Sequence, residues 1–283
     1  MAEKINGEII SADSRQVYKN MDIGTGKDLN EYIVKGKPIP YHLIDICEAG
    51  SRYLLPDFQR DFNTAFQEIT TNNKTAILCG GTGLYLEAVL ENHQFTNIPE
   101  NIDFRVSVNE KTHEELLLQF DAINKPTTFS PDLSTRKRTV RAIELALHFE
   151  RKPLSETKKI DFEPIIFGLN ISRELRREKI SKRLHERLSN RMIEEVQDLL
   201  KSGISADDLA YYGLEYKFIT EYLAGDLSLT EMTNRLEIAI HQFAKRQMTW
   251  FRRMEKKGHL IHWIDTETEQ QEQLDFIQKT LNT

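Results

Sequence analysis

The sequence predicts an α/β protein: a parallel sheet flanked by helices, a small helical insertion, and a helical C-terminal part. Three observations carry this. An apolar run at residues 9–12 ends in the polar cluster Asp13-Ser14-Arg15-Gln16. In residues 55–72, Phe58, Phe62, Ala65, Phe66 and Ile69 recur at helical spacing. Residues 74–79, KTAILC, form a buried-type strand that runs into Gly80-Gly81-Thr82-Gly83 and then an apolar helix at 84–90. Strand, helix, strand, glycine turn and helix in that order are the pattern of a doubly wound sheet.

The elements follow in chain order. Residues 9–12 are the first strand. Residues 40–46, PYHLIDI, read as a second, after the Gly/Pro/Lys loop KGKPIP. The amphipathic helix at 55–72 and the strand at 74–79 complete the first half. From 92 to 153 the character changes: helical patterns at 114–120 and 136–149 alternate with polar loops, and no strand is evident. This predicts an insertion at 98–156 within a core of 1–97 and 157–283. Residues 165–170, IIFGLN, read as a strand returning to the core sheet. Helices are expected at 173–202, 215–223 and 229–257.

A chain of 283 residues suits one large domain or a core with a small second one. No stretch of about 18 apolar residues exists, so no membrane helix is expected, and the N-terminus lacks a secretory h-region. Cys47 and Cys79 have no CxxC spacing and suit buried thiols of a reducing compartment, which makes the cytoplasm the expected location. The net charge of −6 argues against a nucleic-acid partner, but its distribution argues the other way. Residues 136–191 hold 16 Lys/Arg against 8 Asp/Glu, and residues 241–257 hold 6 against 1. Local fields, not totals, attract a polyanion; two solvated helix faces are the plainer alternative.

Five constellations could carry chemistry. Asp13, at a strand end where such sheets bind ligands, could act as a general base or hold Mg²⁺ through water; with Ser14 it could equally cap a helix. Gly24-Thr25-Gly26-Lys27 has the ending of a phosphate loop without its GxxxxGK[ST] spacing; its Lys could contact a phosphate, but a plain turn is the simpler reading. Gly80-Gly81-Thr82-Gly83 could present backbone N–H groups to an anion at a helix N-terminus, or simply be a tight turn. Arg136, Lys137, Arg138 and Arg141 cluster on one helix, where Glu144 is within reach as a structural partner. HQFAKRQMTWFRR, from His241 to Arg253, mixes basic and aromatic residues as RNA-binding surfaces do, although Phe243, Trp250 and Phe251 could be core anchors.

In order along the chain, SADSRQVY after the first strand, MDIGTGKD, LCGGTGLYLEAVL, KRTVRAIEL and QFAKRQMTWFRR together resemble the tRNA dimethylallyltransferases, or tRNA isopentenyltransferases, from Glu8 to about Asp265. The resemblance implies a P-loop-NTPase-like, nucleotide- and ATP-binding type of core. It implies transfer of a dimethylallyl group from dimethylallyl diphosphate, with Mg²⁺, to the N6 amine of the adenine 3′ of the anticodon by a monomeric enzyme. Asp13 matches the family's base, and Thr82 a threonine beside the reaction centre. Asp13, Ser14, Arg15 and Gln16 match the segment that holds the target nucleotide. Arg105, Lys137, Arg138, Arg141, Lys245 and Arg246 are the expected contacts to the tRNA anticodon stem-loop, with Lys137 standing where the family has Gln. Lys27, Gly80, Gly81 and His241 are the expected diphosphate contacts, His241 standing where the family often has Arg.

The family opens with a strand and a GPTxxGKT-type loop, which would lie before Met1, and the RLSNRMIEEV stretch is shorter than usual. The expectation is weak binding of dimethylallyl diphosphate by this chain as written, and reduced stability. Two alternatives stand beside the enzyme: a tRNA-binding remnant without catalysis, and a nucleotide or small-molecule kinase with the same kind of core. No intact GxxxxGK[ST] favours the kinase.

Overall fold

The strand β1 (Gly7–Ser11) organises the first part of the chain, in a computed structural model that describes residues 1–91, 98–126, 129, 131–151 and 162–282. A two-stranded hairpin, β2 (Ile33–Val34) and β3 (Lys37–Pro38), turns through Lys35 and Gly36, both at positive φ. β4 (Tyr41–His42) pairs parallel to β1. The expected strand at 40–46 is cut to these two residues because Leu43 and Asp45 adopt left-handed φ angles of 63° and 57°. The backbone then turns back to bond Val17 through the N–H groups of Ile46 and Cys47.

α1 (Leu55–Thr71) carries Pro56 in its first turn, and Asp57 accepts a hydrogen bond from the Leu54 N–H. It buries Phe58, Phe62, Ala65 and Ile69 on one face, as the spacing requires. β5 (Thr75–Cys79) pairs parallel to β1, from Gly7 opposite Thr75 to Ser11 opposite Cys79. The sheet order is therefore β4-β1-β5. α2 (Gly83–Leu90) follows directly, and its Tyr85 stacks on Phe58 with centroids 3.9 Å apart.

The chain divides into two units, Met1–Glu91 with Phe162–Thr283, and Asn92–Asp161. The expected boundaries at 97 and 156–157 fall outside the described residues. The second unit is helical among its described residues: α3 (Ile102–Ser107), α4 (His113–Ala122) and α5 (Arg136–Arg151). α4 and α5 pack through Leu116, Phe120, Val140, Ile143 and Ala146. Thr112 and Glu115 cap α4 reciprocally.

The first unit resumes with β6 (Ile166–Asn170). The sequence reading returns this strand to the core sheet; among the described residues it pairs instead, parallel and in full register, with β7 (Ile261–Asp265), a strand the reading does not anticipate. Between them lie α6 (Arg173–Ser189), α7 (Met192–Lys201), α8 (Ala206–Tyr211), α9 (Leu214–Leu223) and α10 (Leu229–Lys256). The single helix expected at 173–202 breaks where Arg191 takes a φ of 68°. α10 starts with a Ser228–Glu231 capping box and runs unbroken for 28 residues, or about 42 Å at 1.5 Å per residue. α11 (Gln270–Leu281) closes the chain.

The main core of this unit joins Ile10, Val17, Tyr18 and Met21 to Phe58, Tyr212, Tyr216, Met232 and Leu236. Tyr18 meets Tyr212 edge-on at 4.5 Å, and its hydroxyl accepts a hydrogen bond from the Tyr53 N–H. The helices that follow β6 thus finish the wall begun by β1 and α1.

Candidate active site at the end of β1

Ala12 and Asp13 continue β1 past its last ladder residue, so the chain must turn at once. The turn is tied from within. Asp13 Oδ1 accepts a 2.8 Å hydrogen bond from the Arg15 N–H, and Ser11 Oγ accepts one from the Asp13 N–H. Ser11 also donates to Gln16 Oε1, and Gln16 Nε2 donates to the Gly26 carbonyl at 3.1 Å. Thr82 reaches the turn from the β5–α2 connection: its Oγ1 accepts from the Ser14 N–H at 3.0 Å. The structure therefore brings Asp13, Ser14, Gln16 and Thr82 together.

Asp13 makes no ion pair among the described residues. Burial raises its carboxyl above the ordinary value, against the Arg15 and Gln16 N–H groups and the Arg15 charge, which pull the other way. Glu215, at the start of α9, is raised as well, again mainly by burial and in part by Asp13; Arg187 and Arg183 of α6 oppose the shift. Arg183 is in turn held below the usual guanidinium range by burial and by Arg187. Asp13 and Glu215 are thus both raised and feel one another's charge, while Arg183 and Arg187 act on Glu215 and Arg187 also pairs with Asp28 at 3.1 Å; clustered perturbed groups of this kind mark candidate sites. Sequence reading missed Glu215, Arg183 and Arg187, because nothing in their spacing marks them; only the packing of α6 and α9 brings them here.

The glycine turn has a steric reason. A Cβ at Gly80 would collide with the Ala12 backbone, one at Gly81 with Gln247, and one at Gly83 would lie 2.5 Å from the Trp250 ring. Gly80 and Gly81, expected to face a diphosphate, are needed so that β5 can approach β1 and α10. Gln247 Nε2 donates to the Gly81 carbonyl at 3.0 Å. α2 is fixed to α10 by the buried Glu87, which takes both Arg253 and Lys257.

Lys27 serves the plain turn that its loop also suggests. Its ammonium is buried and donates to the Tyr18 carbonyl at 2.7 Å, to Asp22 at 2.6 Å and to Asp45. All three of its protons are in use, so it braces its own loop rather than a diphosphate. The N–H groups of Asp22, Ile23 and Gly24 point at the Glu195 carboxylate of α7, which also accepts from the Tyr216 hydroxyl. His241 is largely buried. Its Nε2 lies 3.5 Å from both Glu237 and Ser181, and its Nδ1 has no partner among the described residues.

In the second unit, Arg105 and Arg141 converge on Glu144, whose side chain is only 1% exposed. Burial alone would raise Glu144; the bonds from Arg105, Arg141 and the Asn101 N–H overcome it and hold the carboxyl below its ordinary value. Arg105 and Arg141 therefore have a structural task in this unit, Glu144 being the partner that the sequence offers to the basic cluster. Arg138 pairs with Asp132 at 2.8 Å, while Lys137 is exposed. Lys245 and Arg246 are exposed on α10, and Arg246 lies 5.8 Å from the ring of Phe243, itself 46% exposed and so no core anchor.

Among the described residues there is no group of three or more His, Cys, Asp or Glu placed to hold a metal ion. No described helix is long and apolar enough to cross a membrane.

The first unit is an α/β core whose parallel sheet presents, at the end of β1, a carboxylate with no ion pair among the described residues. The sequence matches the family described as IPP transferase over residues 16–254. It is 49% identical over 281 residues to tRNA dimethylallyltransferase 2 of Bacteroides fragilis, covering 99% of this chain and 92% of that protein. It is 48% identical over 285 residues to tRNA dimethylallyltransferase 1 of Parabacteroides distasonis, covering 100% and 92%. Its fold is similar to that of the tRNA isopentenylpyrophosphate transferase of Bacillus halodurans, with a TM-score of 0.70, 28% identity and coverage of 99% and 89%. The chain belongs to the IPP transferase family.

Proposed function

We propose that the chain is a tRNA dimethylallyltransferase, moving a dimethylallyl group from its diphosphate to the N6 amine of the adenine 3′ of the anticodon. The observation that carries this reading is Asp13: a carboxylate at the end of β1, raised by burial, without an ion pair among the described residues, and oriented by the Arg15 N–H. In the reaction the amine nitrogen forms a bond to the allylic carbon as the carbon–oxygen bond to diphosphate breaks. The nitrogen must shed a proton, and Asp13 is the group to accept it. A raised carboxyl is the better base for that step. Ser14, Gln16 and Thr82 hold the acceptor base once it leaves its stack.

The names of the relatives support tRNA as substrate, as do the exposed Lys137, Lys245 and Arg246. Mg²⁺ belongs to the proposal as the companion of the diphosphate. The free cysteines Cys47 and Cys79 suit a cytoplasmic protein.

The test is mass spectrometry of nucleosides from a tRNA with adenine 3′ of its anticodon, after incubation with the protein, dimethylallyl diphosphate and Mg²⁺. The expected result is one prenyl unit gained on adenosine with the wild type and none with Asp13→Asn. A wild type that binds the tRNA and leaves the adenosine unmodified would replace this reading with the non-catalytic one.

A further inference from the structure

Beside the β1 turn, two guanidinium groups share one aromatic ring. Arg15 leaves the turn and its guanidinium carbon lies 5.0 Å from the centroid of Tyr211, the last residue of α8; that of Arg52, from the loop before α1, lies 3.9 Å from the same centroid. The arrangement is built, not incidental. The Tyr212 hydroxyl donates to the Ser51 carbonyl at 2.7 Å and accepts from the Gly50 N–H at 2.8 Å, which fixes the Arg52 loop to α8. Arg52 also donates to Asp208 at 2.7 Å. Among the described residues that is the one carboxylate paired with either arginine, since Arg15 makes no ion pair. The ring therefore anchors two cations, of which only Arg52 has an ion pair among the described residues, and 46% of the Arg52 side chain is exposed.

We propose that Arg15, Tyr211 and Arg52 form a backbone-binding site for the single-stranded RNA next to the acceptor base. Arg15 is fixed in sequence to Asp13, so an anion here lies within a nucleotide or so of the base that Asp13 serves. Guanidinium groups held over an aromatic ring keep their donor edges free for phosphate oxygens and lose little freedom on binding. The extruded base exposes the phosphates on either side of it. This inference rests on the RNA substrate proposed above and assigns Arg52 and Tyr211, which the sequence motifs do not mark.

The test is equilibrium binding of a labelled anticodon stem-loop RNA across a salt series, with the full chain, Arg52→Ala, Tyr211→Ala, Tyr211→Phe and Asp208→Asn. Arg52→Ala is expected to weaken binding about tenfold and to lower the salt slope by about 0.7, the value for one phosphate contact on a single strand. Tyr211→Ala should do the same, and Tyr211→Phe should bind like the wild type. Asp208→Asn breaks the same ion pair as Arg52→Ala but leaves the cation, so RNA binding should hold or tighten. Equal weakening by Asp208→Asn and Arg52→Ala would make the pair a mere brace and overturn the inference. So would an Arg52→Ala protein with wild-type affinity and slope. A wild type that does not bind the RNA at all would instead remove the RNA reading itself.

Discussion

Asp13 and Glu144 are both carboxylates set into their units, and the protein shifts them in opposite directions. Asp13 ends a strand, accepts from backbone N–H groups, has no ion pair among the described residues, and is raised. Glu144 lies in the middle of α5, takes Arg105 and Arg141, and is lowered. Burial acts upward on both; the number of cations delivered to the group decides which way it goes. One carboxylate is left with capacity for a ligand, and the other is saturated by its own chain.

The widest gap between them should appear in catalysis. Asp13→Asn is expected to cut the transfer rate by about 10²–10⁴-fold, read by labelled prenyl incorporation, while Glu144→Gln should change it far less. A loss under threefold for Asp13→Asn would erase the distinction. Next in size, Glu144→Ala leaves two arginines facing each other without their acceptor. Each arginine is about a third exposed and can turn to water, so the loss is expected at about 2–3 kcal/mol, below the range for a fully buried pair. Urea unfolding would measure it, and a change under about 0.5 kcal/mol would contradict the structural role. Lys27→Met tests a third ionic group. Asp22 and Asp45 both reach solvent, so about 1–2 kcal/mol of stability should be lost, with an unchanged KM for dimethylallyl diphosphate. A large rise in that KM in a folded variant would return Lys27 to the ligand.

The smallest effect is on stability against pH, and its signs differ. Glu144 is lowered, so its contribution is present above the ordinary value of 4.5 and lost as pH falls through its folded value. Asp13 is raised, so it stabilises only below the ordinary 3.8, and that contribution is gone once pH rises through its folded value. At pH 7, Asp13→Asn should therefore melt slightly higher than the wild type, measured by thermal denaturation, and a lower melting temperature would count against the burial argument.

The sequence was legible where a local pattern and the fold agree. The spacing of Phe58, Phe62, Ala65 and Ile69 predicts α1, and an apolar run ending in Asp13 predicts the strand-end site. Thr82 was marked only through the family resemblance, and its bond with the Ser14 N–H emerges from the pairing of β5 with β1. Long-range pairing was not legible: β7 has no neighbour in sequence that announces it, and β6 finds its partner about ninety residues away. Ionic partners were hidden for the same reason. Lys27 reads as a phosphate contact until Asp45, eighteen positions on, is seen to hold it. Arg191 breaks a helix by its φ angle, which composition does not reveal.

The loop before Lys27 shows what such a partner can do to a motif. Its amides already hold the Glu195 carboxylate at 2.7–3.0 Å. Successive N–H groups aimed at one point form a receptor for any anion, but a guest tethered to its host is present at a concentration that no dissolved phosphate matches. A pattern of glycines followed by lysine therefore describes a keyhole without saying whether the key has been left in it. Here it has, and the loop works as a rivet that fastens α7 to the turn behind the sheet.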